Sequence, residues 1–194
     1  MLATLPREEK LDPRVKRTRS LIQQAFMQLL TEKGFRAITV QDITERAEVN
    51  RATFYAHFAD KYALLEESIR QMFRQELEKR MLRGCHYSEG NLQALIATVC
   101  EFVAQLHEHC KFSEQQFQLL VENQVRKQIQ ELIELWLEQA SSEINPQTAA
   151  TATSWAIYGL AVQWSQDKSH ASAQAYARQV LPLVAANMRV VHPI

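Results

Sequence analysis

Thr39-Val40-Gln41-Asp42-Ile43 opens the stretch whose reading decides the fold, and Ala47-Glu48-Val49-Asn50-Arg51-Ala52-Thr53-Phe54-Tyr55-Ala56-His57-Phe58-Ala59-Asp60-Lys61-Tyr62-Ala63-Leu64-Leu65 completes it. Thr39 is a good N-cap, and Asp42 three residues later is a shorter version of the capping-box acid. A short helix follows with Val40, Ile43 and Ala47 inward. It must stop early, because Asn50 is another N-cap with Thr53 three residues on. Asp60 caps a third start. Two short helices joined by a tight turn are the geometry of a helix-turn-helix, here a bracing helix over 40–47 and a recognition helix over 51–56. Small residues such as Ala47 and Ala52 let the two axes approach. Two short amphipathic helices also occur in ordinary helical domains, so spacing alone leaves both readings open.

Upstream, residues 1–13 are polar, contain Pro6 and Pro13, and read as a loose arm. Asp12 is an N-cap with Pro13 at the first helical position. Leu21, Ile22, Ala25, Phe26, Leu29 and Leu30 then recur at helical spacing, and Gly34 ends the helix. Downstream, Leu64, Leu65, Ile69, Met72 and Phe73 carry a longer helix toward Arg83. Residues 84–90 make the best boundary. Beyond it lies a helix holding Leu92 to Leu106, then one or two helices from Phe117 to Trp136. Another runs from about Pro146 to Gln166 and a last from about Ser172 to Met188, which Pro182 should kink or split. The expected architecture is all-α: an arm (1–13), a three-helix helix-turn-helix domain (14–62), a connecting helix (63–84) and a helical regulatory and dimerisation domain (85–194).

Composition agrees with this. Only 4 of 194 residues are Gly and 5 are Pro, few for a chain rich in hairpins. With 46% hydrophobic and 23% charged residues, disorder is not expected. The formal net charge is zero, yet residues 1–62 hold 11 cations against 8 acids. A basic N-terminal part on an acidic remainder fits a nucleic-acid module on a regulatory body, and equally a solvated surface. Cys85, Cys100 and Cys110 lack metal-type spacing and form no disulfide framework. The N-terminus has no apolar signal core and no stretch approaches a membrane span, so a cytoplasmic location and no membrane partner are expected.

The run Thr53-Phe54-Tyr55-x-His57-Phe58-x-x-Lys61-x-x-Leu64-Leu65, with the residues before it, closely resembles the N-terminal domain of the TetR family of bacterial transcriptional regulators. The resemblance covers about residues 14–75. It implies that Thr39 and Gln41 approach DNA from the first helix, and that Asn50, Arg51, Ala52 and Thr53 open the recognition helix toward bases or phosphates. Tyr55 is then expected to reach a phosphate and Lys61 to clamp another, with His57 either touching DNA or packing between helices. Arg51 is the first choice for reading a base, since a guanidinium pairs bidentately with guanine, and a phosphate contact is the plainer alternative. Arg14, Lys16, Arg17 and Arg19 add phosphate contacts or form a solvated face. The family commonly has Gly where this chain has Glu48, and a positive φ there would cost about 1 kcal/mol.

The resemblance also implies a homodimer on double-stranded DNA with a palindromic operator and an unidentified small-molecule effector. Ala149, Ala152, Ala156 and Gly159, with Tyr176, Val180 and Val184, are the dimer-interface candidates. Phe102, Leu106, Phe117, Leu120, Trp136, Trp155 and Tyr158 are the ligand-pocket candidates, although residues at such spacing are more often core. His107, His109 and Cys110 do not share one helical face, so no metal is expected. No Gly-rich phosphate loop, HExxH or nucleophile elbow is present, so neither an enzyme nor a cofactor is expected. The competing reading is a helical interaction module whose helix-turn-helix docks a protein partner.

Overall fold

The computed structural model describes residues 12–82, 86–109, 115–139, 144–167 and 171–188. Among them all regular structure is helical: α1 (Pro13–Ala37), α2 (Val40–Arg46), α3 (Arg51–His57), α4 (Lys61–Lys79), α5 (Glu89–His109), α6 (Gln115–Glu138), α7 (Pro146–Gln166) and α8 (Ala173–Ala185). The arm before residue 12, Cys85 and Cys110 lie outside the described residues. The chain forms two compact units, divided between Leu65 and Glu66 inside α4.

In the first unit, Asp12 caps α1 by accepting a hydrogen bond from the Arg14 amide at 2.8 Å. Ile22, Ala25, Phe26, Leu29 and Leu30 form its buried stripe, while Leu21, one position off it, is 42% exposed. Gly34 breaks the helix at φ 76° and ψ 160°, and a single further turn follows. That turn buries Phe35, whose ring meets Phe26 and Tyr62 edge-on. Asp60 opens α4 by accepting from the amides of Tyr62 and Ala63, both at 2.8 Å.

In the second unit, the later part of α4 belongs with the helices that follow. Phe73 packs on Phe102 at 5.0 Å between ring centres, and Arg80 pairs with Glu101. α7 packs against α5 and α6, and α8 packs against α5. α6 is one unbroken helix. Pro182 does not split α8, which runs from Ala173 to Ala185 with Pro182 in its last turn; the missing amide leaves the Arg178 carbonyl without its helical donor.

Candidate nucleic-acid interface

α2 and α3 are held by local chemistry before any packing is considered. The Thr39 hydroxyl accepts from the Asp42 amide at 3.2 Å, and the Asp42 carboxylate accepts from the Thr39 amide at 2.7 Å, completing a capping box. Lys33 of α1 meets the same carboxylate at 2.8 Å. Together Lys33 and the Thr39 donors hold the Asp42 carboxyl well below the usual carboxylate range. A second tie, Arg46 to Glu32 through two bonds of 2.8 and 2.9 Å, joins the other end of α2 to α1.

The turn is tight. The Val49 amide donates to the Thr44 carbonyl at 3.0 Å, and Glu48 takes φ 55°. The strain expected at Glu48 is therefore present. Asn50 restarts the chain: its Oδ1 accepts from the Thr53 amide at 2.7 Å and from the Thr53 hydroxyl at 3.0 Å. Phe54 is fully buried, and Ile43, Ala47 and Phe58 share that core. With Phe54 and Phe58 inward, α3 must turn Arg51, Ala52, Tyr55 and Ala56 outward, and all four are exposed. Tyr55 is 49% exposed, too open to be a core aromatic. The Arg51 guanidinium lies 5.8 Å from the Tyr55 ring centre and donates to its hydroxyl at 3.3 Å. This pair presents five-donor and phenolic chemistry on one face of the second helix.

Other expected residues fall differently. Thr39 and Gln41 are exposed, but the Thr39 hydroxyl donates to Asp42 at 2.6 Å and the Gln41 amide donates to Glu45 at 2.9 Å. Lys61 has an architectural role. Its ammonium donates to the carbonyls of Phe35, Arg36 and Ile38 at 3.1, 3.3 and 2.8 Å, and lies 4.7 Å over the Phe35 ring. It closes the C-terminal turn of α1, whose carbonyls have no helical amide left to accept from. His57 is partly buried, and its carbonyl accepts from Arg19 at 3.3 Å. Burial and then the Arg19 charge push the His57 imidazole down, so it is neutral at pH 7. Arg19 itself lies 4.7 Å over Phe58 and is structural, whereas Arg14, Lys16 and Arg17 are exposed. Sequence spacing did not expose the Lys33–Asp42 and Arg46–Glu32 ties, whose partners sit on different helices.

The second unit holds a cavity of about 130 Å³ between α5, α6 and α7. Of the expected pocket residues, Leu106 and Tyr158 line it. Phe102, Phe117 and Trp136 are buried in helix packing, Leu120 is half-buried, and Trp155 lies outward under the Arg126 guanidinium at 3.8 Å. The bulky aromatics fill the core, and smaller residues leave the space. The missed lining is Val103, His107, Gln118, Val121, Glu122, Val162 and Gln166. Gln118 and Glu122, four apart on an otherwise apolar helix face, were the available signal. His107 lies with Ser165, 2.9 Å from Nδ1 to Oγ, and no group of three metal-ligating side chains occurs among the described residues. Burial pushes the Cys100 thiol up to about 12, which removes it from thiolate chemistry.

The expected dimer residues divide. Ala152 and Gly159 are exposed and Ala156 is half-exposed on one face of α7. Ala149, Val180 and Val184 are buried within their own unit. They project from the inner faces of α7 and α8. Tyr176 is half-buried, with its hydroxyl donating to the Leu160 carbonyl at 3.3 Å.

Residues 22–68 match the family described as bacterial regulatory proteins, tetR family. A Bacillus subtilis protein, the uncharacterised HTH-type transcriptional regulator YxbF, is 44% identical over 66 residues, which are 34% of this chain and 17% of that protein. The matched segment spans less than a third of the length of the three curated relatives compared first. The HTH-type transcriptional repressor KstR2 of Rhodococcus jostii is 25% identical across 80% of this chain and 83% of its own. Among solved structures, Thermus thermophilus FadR, a transcriptional repressor in complex with lauroyl-CoA, has a similar fold: TM-score 0.58, 18% identity, 90% of this chain and 97% of that one. No helix among the described residues is long and apolar enough to cross a membrane.

Proposed function

We propose that this chain, whose residues 22–68 match the tetR family of bacterial regulatory proteins, is a sequence-specific DNA-binding transcriptional regulator: a ligand-responsive repressor that binds a palindromic operator as a homodimer. The observation that carries the proposal is the outward Arg51–Tyr55 pair on α3, backed by the fully buried Phe54. A short helix with a packed inner face and an exposed Arg and Tyr is built to enter a major groove, where Arg51 reads a guanine edge and Tyr55 meets a phosphate. Asn50, Ala52 and Thr53 lie at the same helix start, and Thr39 and Gln41 flank it from α2. His57, being neutral, contributes shape and not charge.

One such module contacts few base pairs. Two on a dyad read half-sites about 10 base pairs apart, or multiples of that. The outer face of α7, with Ala152, Ala156 and Gly159 beside Trp155, is the surface that supports pairing. The cavity of about 130 Å³ between α5, α6 and α7 is the space that supports an effector site in this chain. The effector acts by binding unequally to two dimer shapes, only one of which fits successive grooves.

Selection of bound duplexes from a random pool, followed by salt titration of the winner, tests the proposal. An enriched palindrome with a steep salt slope is the expected result. No enrichment and no phosphate-linked slope would overturn it and favour the protein-docking alternative, which no observation now favours.

A further inference from the structure

The cavity of the second unit has a definite chemistry. Val103, Leu106, Val121 and Val162 supply an aliphatic lining. Its polar lining comes from His107, Gln118, Glu122, Tyr158 and Gln166, and no Lys or Arg is among the lining residues. Burial pushes the His107 imidazole down, leaving it neutral, and its Nδ1 faces the Ser165 hydroxyl. Burial and the Glu122 charge push the Tyr158 phenol up to about 12, so it keeps its proton. Glu122 is then the one charged group of the lining, and no direct ion pair within 4 Å holds it among the described residues. Arg126, one turn further along α6, is turned to the Trp155 ring and to Asn123.

A carboxylate bordering a partly apolar space, with the nearby Arg126 charge felt at Tyr158 but not paired to that carboxylate, attracts a cation and disfavours an anion. Size narrows the choice. The cavity, about 130 Å³, is close to the engineered apolar cavity of about 150 Å³ that accepts benzene.

We propose that this cavity binds a small organic cation, an amine on a compact hydrocarbon or aromatic body, with the ammonium on Glu122 and the body against Val103, Leu106, Val121 and Val162. Tyr158 and Gln166 add oxygen acceptors for the remaining N–H groups. The assignment deepens the effector part of the regulator reading and rests on that reading for its biological consequence.

The full chain is titrated calorimetrically with benzylammonium, benzyl alcohol and benzoate, which share one ring and differ in charge. Benzylammonium binds, the alcohol binds about tenfold more weakly, and benzoate does not bind. Glu122→Gln, nearly isosteric at a half-buried position, brings the amine down to the level of the alcohol. Val162→Phe fills the space and removes both. Equal binding of all three compounds, no binding by any, or undiminished amine binding in Glu122→Gln would overturn the proposal, and the last variant decides even if Val162→Phe fails to fold. Operator binding is measured on the same preparations. An intact operator complex with no amine binding sinks the cavity assignment alone, whereas amine binding without any operator sinks the regulator reading alone.

Discussion

At the scale of single residues, Arg51 and Lys61 separate recognition from architecture. Both are cations in the same family motif, yet one guanidinium faces outward beside Tyr55 and the other cation is spent on three backbone carbonyls. Arg51→Ala is expected to cost about 1–3 kcal/mol of operator affinity and to relax preference at one base position, with melting unchanged. Selection of binding sites with the variant checks it, and uniform weakening across sequences would reduce Arg51 to a phosphate contact. Lys61→Met is expected to do the reverse. Losing charged hydrogen bonds at a helix end lowers stability by about 1–3 kcal/mol, while the salt slope of DNA binding stays put. Denaturant unfolding and a salt titration measure the two effects. A slope reduced by about one, with stability intact, would restore Lys61 to the phosphates.

At the scale of elements, two positive-φ positions govern how α1 and α2 end. Gly34 has φ 76° and ψ 160°, a region that is nearly glycine-only, while a Cβ there would meet nothing within 4 Å. Gly34→Ala is therefore a pure backbone test and should cost about 1–3 kcal/mol. Glu48, at φ 55°, is the converse. Glu48→Gly removes left-handed strain of about 1–2 kcal/mol, against a smaller entropic loss, and should not lower stability. Chemical denaturation of the pair decides it: a Gly34→Ala variant as stable as the parent, or a clearly weakened Glu48→Gly, would refute this account of the turns. Capping explains why seven-residue helices hold at all. Isolated helices of this length are unstable in water, so the Thr39–Asp42 box, the Asn50 cap and the buried Phe54 supply what length cannot.

At the scale of the whole molecule, pairing of two chains is tested at Gly159. It is exposed on α7, and a Cβ there would meet nothing within 4 Å, so a side chain does not disturb its own subunit. Gly159→Glu should leave the monomer as stable or more so, because mid-helix Gly costs about 1 kcal/mol. It should also weaken the dimer and binding to a full palindrome, while a half-site is bound as before. Sedimentation alongside operator titration reads both, and an unaltered dimer would move the interface away from this face of α7.

Local chemistry was sufficient for most of the fold. Asp12, Thr39, Asn50 and Asp60 act through neighbours two or three residues away, so their caps and the helix starts were legible in the chain itself. The family resemblance pointed to Arg51 and Tyr55, and the burial of Phe54 and Phe58 supplies the reason that both face outward from α3. What only the tertiary structure decided depends on residues far apart in sequence. Lys61 meets the end of α1 some 23 to 26 positions earlier, Arg19 reaches the His57 carbonyl 38 positions on, and Arg46 pairs with Glu32 across helices. The cavity belongs to the same class. Apolar periodicity marks which helix face turns inward, but not whether the inward space is filled, since that depends on how the side chains of three helices add up in volume. Large aromatics filled it at Phe102, Phe117 and Trp136, and the unfilled remainder lies beside Val103, Val162 and the carboxylate of Glu122.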